Sequence, residues 1–108
     1  MSLNPIERSL LKNEVIECLR EVYDPELPIN IYDLGLIYEL EVDEEARVRI
    51  VMTLTSPMCP VAESLPGEVE EAARQVPGVA RVDLELTWDP PFSIEMMSEE
   101  ARLTLGLI

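Results

Sequence analysis

The run LIYELEVDEEARVRIVMTLT, residues 36–55, constrains the fold more than any other stretch of the chain. Leu36, Tyr38, Leu40 and Val42 alternate with Ile37, Glu39 and Glu41. After an acidic turn at Asp43–Ala46, Val48, Ile50, Met52 and Leu54 alternate with Arg47, Arg49, Val51 and Thr53. A period of two puts each set on one face of an extended chain, so the run predicts a β-hairpin with one buried face. Arg47 and Arg49 can face Glu39 and Glu41 across the strands, which is ordinary sheet-surface pairing rather than a ligand site.

A one-faced hairpin needs a cover, and two amphipathic segments can supply it. In the first, Asn4 and Glu7 are spaced as a capping box with Pro5 at the first helical position. Leu11, Val15, Cys18, Leu19 and Val22 follow on one helical face, which predicts Cys18 as a small buried core residue. The prolines and turn formers of YDPELPINIYDLG, residues 23–35, then end the helix in a long loop. The second helix is expected over Pro60–Val76, with Val61, Leu65, Val69, Ala72, Ala73 and Val76 inward. Pro66 should kink or separate its first turns. Val82, Leu84, Leu86 and Trp88 predict an inward face on a third strand, with Asp83, Glu85 and Thr87 outward. Ser98 can cap a last short helix opening on Glu99 and Glu100, and Gly106 can end it. The expected class is therefore α+β: a two-layer sandwich of order α-β-β-α-β-α. Its three-stranded mixed sheet carries helices on one face, in one domain over residues 1–108.

Composition narrows the chemistry. With 22 acids against one lysine and seven arginines the formal charge is −14, so counterion-displacing binding to nucleic acid or to an anionic membrane is not expected. The chain has no histidine, which removes Ser–His and Cys–His nucleophile pairs. Two cysteines cannot build a four-ligand zinc framework. The four glycines stand too far apart for a phosphate-cradling loop. The N-terminal stretch does not read as a signal peptide and no apolar run approaches a membrane span, so a soluble, cytoplasmic protein is expected.

Cys59 stands out in TLTSPMCP, Thr53–Pro60, at the junction between the second strand and the second helix. A thiol before a helix's first turn faces unpaired N–H groups and the positive end of the macrodipole, which favour the metal-binding, nucleophilic thiolate. Pro57 and Pro60 stiffen the approach, and Thr53, Thr55 and Ser56 add hydroxyls. The acidic chain works against a further negative charge, and a buried structural thiol is the competing reading of Cys59.

Three stretches, DPELPINIYDLGLIY (24–38), TLTSPMCPVAESL (53–65) and VDLELTWDPPFSIEMMSEEARLTLG (82–106), resemble the SufT-like/PaaD-like family of metal–sulfur cluster biosynthesis proteins. The resemblance covers nearly the whole chain in order. It implies an α+β fold related to the iron–sulfur cluster assembly domains and a non-enzymatic role as an auxiliary factor that assembles or delivers clusters. Carried over by position, the acidic motif falls on Asp24, Pro25 and Glu26. The cysteine motif falls on Thr53, Thr55, Pro57, Cys59 and Pro60, and the tryptophan segment on Trp88, Asp89 and Pro90. Metal contact is thus expected at Cys59, with Asp24 and Glu26 as hard partners. PaaD-like members, associated with oxygenase assembly, typically continue into a cysteine-rich extension. This sequence has no cysteine after Cys59, which favours the general SufT-like role.

A cluster ordinarily takes four cysteine ligands. One usable thiolate per chain therefore implies either a homodimer sharing a cluster through paired Cys59 residues or a transient iron or iron–sulfur cargo. The implied partners are client iron–sulfur apoproteins or assembly scaffold proteins. The rival reading is a protein-interaction adaptor, a PaaD-like oxygenase assembly role included, in which Cys59 is structural.

Overall fold

The computed structural model describes residues 2–23, 28–54 and 65–106. Chain order is α1 (Pro5–Leu19), β1 (Ile37–Val42), β2 (Arg47–Met52), α2 (Leu65–Arg74), β3 (Arg81–Leu86) and α3 (Glu99–Thr104), with a 3-10 turn at Ile94–Met96 before α3. The expected α-β-β-α-β-α order and α+β class are present. β1 and β2 are antiparallel, β3 lies parallel to β2, and the sheet order is β1-β2-β3.

Each element starts where local chemistry dictates. The Asn4 side chain accepts from Glu7 N at 2.8 Å and the Glu7 carboxylate accepts from Asn4 N at 3.1 Å. That reciprocal pair satisfies two otherwise orphaned donors of α1, and such a cap is worth about 1 kcal/mol. Leu11, Val15 and Leu19, spaced by four, bury one stripe of α1. Cys18 departs from expectation: it is half-buried and packs against the core from its margin. A residue one step before Leu19 is turned about 100° around the helix from the central stripe. Pro66 is the second residue of the described α2, which runs unbroken over Leu65–Arg74, and the turns expected before it from Pro60 lie outside the described residues. Ser98 caps α3, its hydroxyl accepting from Ala101 N at 3.1 Å, and Gly106 follows the helix with φ 75°.

The core joins Leu11, Val15 and Leu19 of α1 and Leu65, Val69 and Ala73 of α2 to Leu40, Val42, Val48, Ile50, Met52 and Val82 of the sheet. Full burial of one such Leu, Ile or Val stabilises by roughly 1.5–3 kcal/mol. At the hairpin turn, Asp43 accepts from Glu45 N and Arg47 N, each at 2.9 Å, and from Arg47 Nε at 2.7 Å. The outer face carries a register of alternating charge in which Glu41 sits opposite Arg49 and Arg49 opposite Asp83. Arg47 instead pairs with Asp43 and Glu45 of the turn.

The alternation is broken at the other end of the sheet. A bulge between Ile37 and Glu39 makes Tyr38 an extra residue, so Ile37 rather than Tyr38 lies opposite Met52. Val51 and Thr53, expected to face solvent, are buried. The segment after β3 folds back over this end, with the Tyr38 hydroxyl meeting Pro90 and Met96. Leu86 and Trp88, expected inward, are exposed, and burial along β3 falls from Val82 through the half-buried Leu84 to Leu86.

Candidate functional site

The residues singled out as metal contacts, Cys59, Asp24 and Glu26, lie outside the described residues, as do Thr55, Ser56, Pro57 and Pro60. Thr53, Trp88 and Asp89 lie within them. So do the flanks of both motif-bearing segments, and these flanks meet.

The flanks of residues 24–27 are tied together. Tyr23 and Asn30 form an isolated antiparallel bridge, and Ile31 N donates to Val22 O at 2.8 Å. Asn30 caps the following turn, its side-chain oxygen accepting from Asp33 N and its amide donating to the Asp33 carboxylate, both at 2.8 Å. Arg20 anchors the same carboxylate at 3.3 Å and places its guanidinium 5.9 Å from the Tyr32 ring centre. From here a ladder runs to the cysteine segment: Leu36 N donates to Ile31 O at 3.2 Å, and Thr53 N donates to Leu36 O at 2.8 Å. The described base of residues 24–27 and the described base of residues 55–64 are thus two hydrogen bonds apart.

Thr53 is the chemically unusual residue at this junction. It is fully buried, and among the described residues its hydroxyl oxygen has no hydrogen-bond partner. A buried unsatisfied hydroxyl costs about 1–3 kcal/mol. Tyr38 stands beside it and donates its hydroxyl to Pro90 O at 2.7 Å, with Met96 Sδ at 3.3 Å. Burial pushes the Tyr38 phenol up from its ordinary range, and the Asp89 charge adds to this. Proximity of the Thr53 hydroxyl opposes the shift, without a bond of acceptable geometry between the two side chains. Tyr38 is therefore a neutral donor near pH 7.

The third strand supplies the far wall. Thr87 N donates to Met52 O at 2.8 Å, which carries the parallel pairing past β3 to the residue before Thr53. The Thr87 hydroxyl then turns the chain, donating to Asp89 O at 3.2 Å and accepting from Asp89 N at 3.3 Å. This leaves Trp88 at the sheet end with 43% of its surface exposed. A cavity of about 410 Å³ lined by Gly35, Ile37, Tyr38, Pro90 and Met96 opens on the same side. A Cβ on Gly35 would fall 2.2 Å from Met96 O, and Gly35 has φ 86°, so only glycine allows the loop to approach so closely.

Sequence reasoning placed Thr53, Trp88 and Asp89 in the motif but read Tyr38 as a strand residue and Gly35 as a turn former. Their roles here depend on contacts with residues more than fifty positions away, which no local pattern encodes. Among the described residues there is no group of three or more carboxylates or thiols placed to hold a metal ion. Cys18, the described thiol, is held protonated by burial first and then by Glu21, Glu14 and Glu17. No described helix is long and apolar enough to cross a membrane.

Comparison with known proteins agrees with this architecture. The chain is 44% identical over 97 residues to an Fe-S protein maturation auxiliary factor of Porphyromonas gingivalis, covering 90% of this chain and 92% of the relative. It is 37% identical over 86 residues to the Fe-S protein maturation auxiliary factor SufT of Staphylococcus aureus, covering 80% and 98%. A Bacillus anthracis crystal structure described as a domain of unknown function, DUF59, superposes with a TM-score of 0.87 at 35% identity, covering 97% of this chain and 100% of that one. Residues 12–84 match the model of the iron–sulfur cluster assembly protein family, and with that match and these relatives the chain belongs to this family.

Proposed function

We propose that this protein is an auxiliary factor in the maturation of iron–sulfur proteins, one that contacts iron or a cluster in passing rather than turning over a substrate. The cargo is assembled on or delivered to client apoproteins, directly or through a scaffold protein. Cys59 is the metal contact, and Asp24 and Glu26 are the hard partners. The carrying observation is the two-bond ladder from Ile31 through Leu36 to Thr53, which ties the described flanks of the acidic segment and of the cysteine segment together. Relatives that bear the maturation-factor name support the same reading.

Ligand arithmetic sets the mode of action. A cluster takes four cysteines, and this chain has two, of which Cys18 sits in α1 with a thiol held protonated. One thiolate with oxygen ligands holds a cluster weakly, and weak holding suits release to a client. The exposed Trp88 favours a second contribution at the same sheet end, direct docking of the client, which is the part of the adaptor reading that the geometry supports.

Anaerobic reconstitution with iron and sulfide tests the proposal. Substoichiometric cluster absorption is expected, lost in Cys59→Ser and retained in Cys18→Ser. Cys59→Ser protein that fully restored the activity of iron–sulfur enzymes in deletion cells would overturn metal handling by this thiol and leave the adaptor.

A further inference from the structure

α1 presents a second, largely exposed face at the margin of the core. Glu7, Leu10, Glu14, Glu17 and Cys18 recur at three- and four-residue spacing, so they share one side of the helix. Leu10 is 60% exposed, and Ile6, one turn earlier, is 72% exposed. Beside this face runs a groove made of two adjoining cavities. One, of about 540 Å³, has Leu10, Cys18, Val76 and Pro77 as its apolar part and Glu14 and Glu17 at its edge. The other, of about 260 Å³, shares Leu10 and Glu14 and extends to Leu3, Glu7 and Gly78. Together they follow α1 from Glu7 to Cys18, roughly 16 Å or three helical turns at 1.5 Å per residue.

The charge around the groove is of one sign. Among the described residues that line the two cavities there is no lysine or arginine, while Glu7, Glu14 and Glu17 all do. Glu14, Glu17 and Glu21 also act together on the Cys18 thiol. The basic residues of α1, Arg8 and Lys12, line cavities on its other side, toward Glu41 and Val42. An apolar floor of this length with an acidic rim matches one kind of occupant. Nucleic acid and anionic membrane would be repelled, and a second copy would bring its own acidic α1 against this one.

We propose that the groove between α1 and the Val76–Gly78 turn is a docking site for a partner protein's amphipathic segment, apolar on one side and flanked by Lys or Arg. Such a segment would seat its apolar anchors over Leu10, Cys18 and Pro77 and set its cations against Glu7, Glu14 and Glu17, the helix-in-groove mode of recognition. The Val76–Gly78 turn leads into the start of β3 whereas Trp88 follows its end, and a six-residue strand separates the two by on the order of 17 Å. A partner can therefore be held here while the other end of the sheet stays free.

A nitrogen-15 NMR titration of the cluster-free protein tests this independently of any metal chemistry. The probe is a synthetic 14-residue helical peptide of leucine and lysine. Its comparators are a peptide with the leucines replaced by serine and one with the lysines replaced by glutamate. Saturable shifts centred on Glu7, Leu10, Glu14, Glu17, Cys18 and Val76 are expected with the first peptide only. Leu10→Ser, and separately Glu14→Gln with Glu17→Gln, should each weaken binding about tenfold or more, while Glu44→Gln with Glu45→Gln at the hairpin turn should not. Leu10 is largely exposed, so its substitution leaves the core intact. Equal binding of the serine peptide, shifts spread over every acidic surface, or indifference to Leu10→Ser would overturn the proposal. Sedimentation showing a dimer that Leu10→Ser dissolves would overturn it in favour of a second copy.

Discussion

The two ends of the sheet are built on different terms. At the hairpin end the chain solves its problems locally: Asp43 collects three donors within four residues, and Arg47 answers Asp43 and Glu45. Its single irregularity is Ala46, held at φ 63° where a glycine would sit without strain. At the opposite end almost every local rule is broken. A bulge displaces Tyr38, a hydroxyl is buried at Thr53, a tryptophan is left in solvent, and two backbone segments touch at Gly35 and Met96. Regions where packing, patterning and polar satisfaction all agree are scaffolding. Regions that violate several of these at once are where a fold accommodates function.

The sharpest way to break this contrast is at Gly35. Gly35→Ala meets two penalties, the left-handed backbone and a 2.2 Å approach to Met96 O, and should cost on the order of 3 kcal/mol in urea unfolding. Gly106→Ala is its control: φ is 75°, but among the described residues nothing lies within 4 Å of the added Cβ, so only the backbone penalty of about 1 kcal/mol is expected. Equal costs at the two positions would mean that the loop at Gly35 yields easily, and that this end is not held as tightly as its contacts indicate.

That glycine also shows why one end was readable from sequence and the other was not. The capping box at Asn4 and Glu7, the Ser98 cap and the alternation of Leu40 and Val42 with Glu39 and Glu41 are decided within a few residues, and each appears as expected. The same period-two reasoning put Val51 and Thr53 in solvent, whereas both are buried at the end of the sheet where the Tyr38 hydroxyl meets Pro90 and Met96. It put Leu86 and Trp88 inside, whereas both are exposed. Cys18 was misplaced by one helical step, the difference between the centre of a buried stripe and its margin. Of the candidate site, Thr53, Trp88 and Asp89 were legible from motif resemblance, whereas Tyr38 and Gly35 act through contacts made only when the chain has closed.

A smaller effect, of opposite sign, is expected at Thr53. Thr53→Val keeps the branched shape and removes a hydroxyl without a hydrogen-bond partner among the described residues, so the protein should become more stable by about 1 kcal/mol. Most core substitutions destabilise, which makes a gain here diagnostic. Cluster reconstitution on the same variant would sharpen the contrast: higher stability with weaker cluster absorption marks the hydroxyl as kept for the site. A loss of stability would show instead that the hydroxyl is satisfied in solution, and that this end is less irregular than it looks.

The smallest effect belongs to the hairpin end, and it depends on pH. Backbone donation from Arg47 N holds the Asp43 carboxyl below its ordinary value of 3.8, helped by the Arg47 side chain and Glu45 N and opposed by desolvation. A carboxyl lowered in the folded state binds its proton more weakly there than in the unfolded chain. Its contribution is therefore complete above pH 3.8 and is lost as pH falls through the lower folded value. The stability difference between the wild type and Asp43→Asn should be flat from neutral pH down to about pH 4 and shrink below it. Because the leading cause is a backbone N–H rather than the guanidinium charge, most of this difference should survive 1 M salt, which screens exposed charges beyond about 3 Å. If salt erased it, the Arg47 charge would be the dominant partner. The turn would then be an ordinary exposed ion pair instead of a backbone-satisfied one.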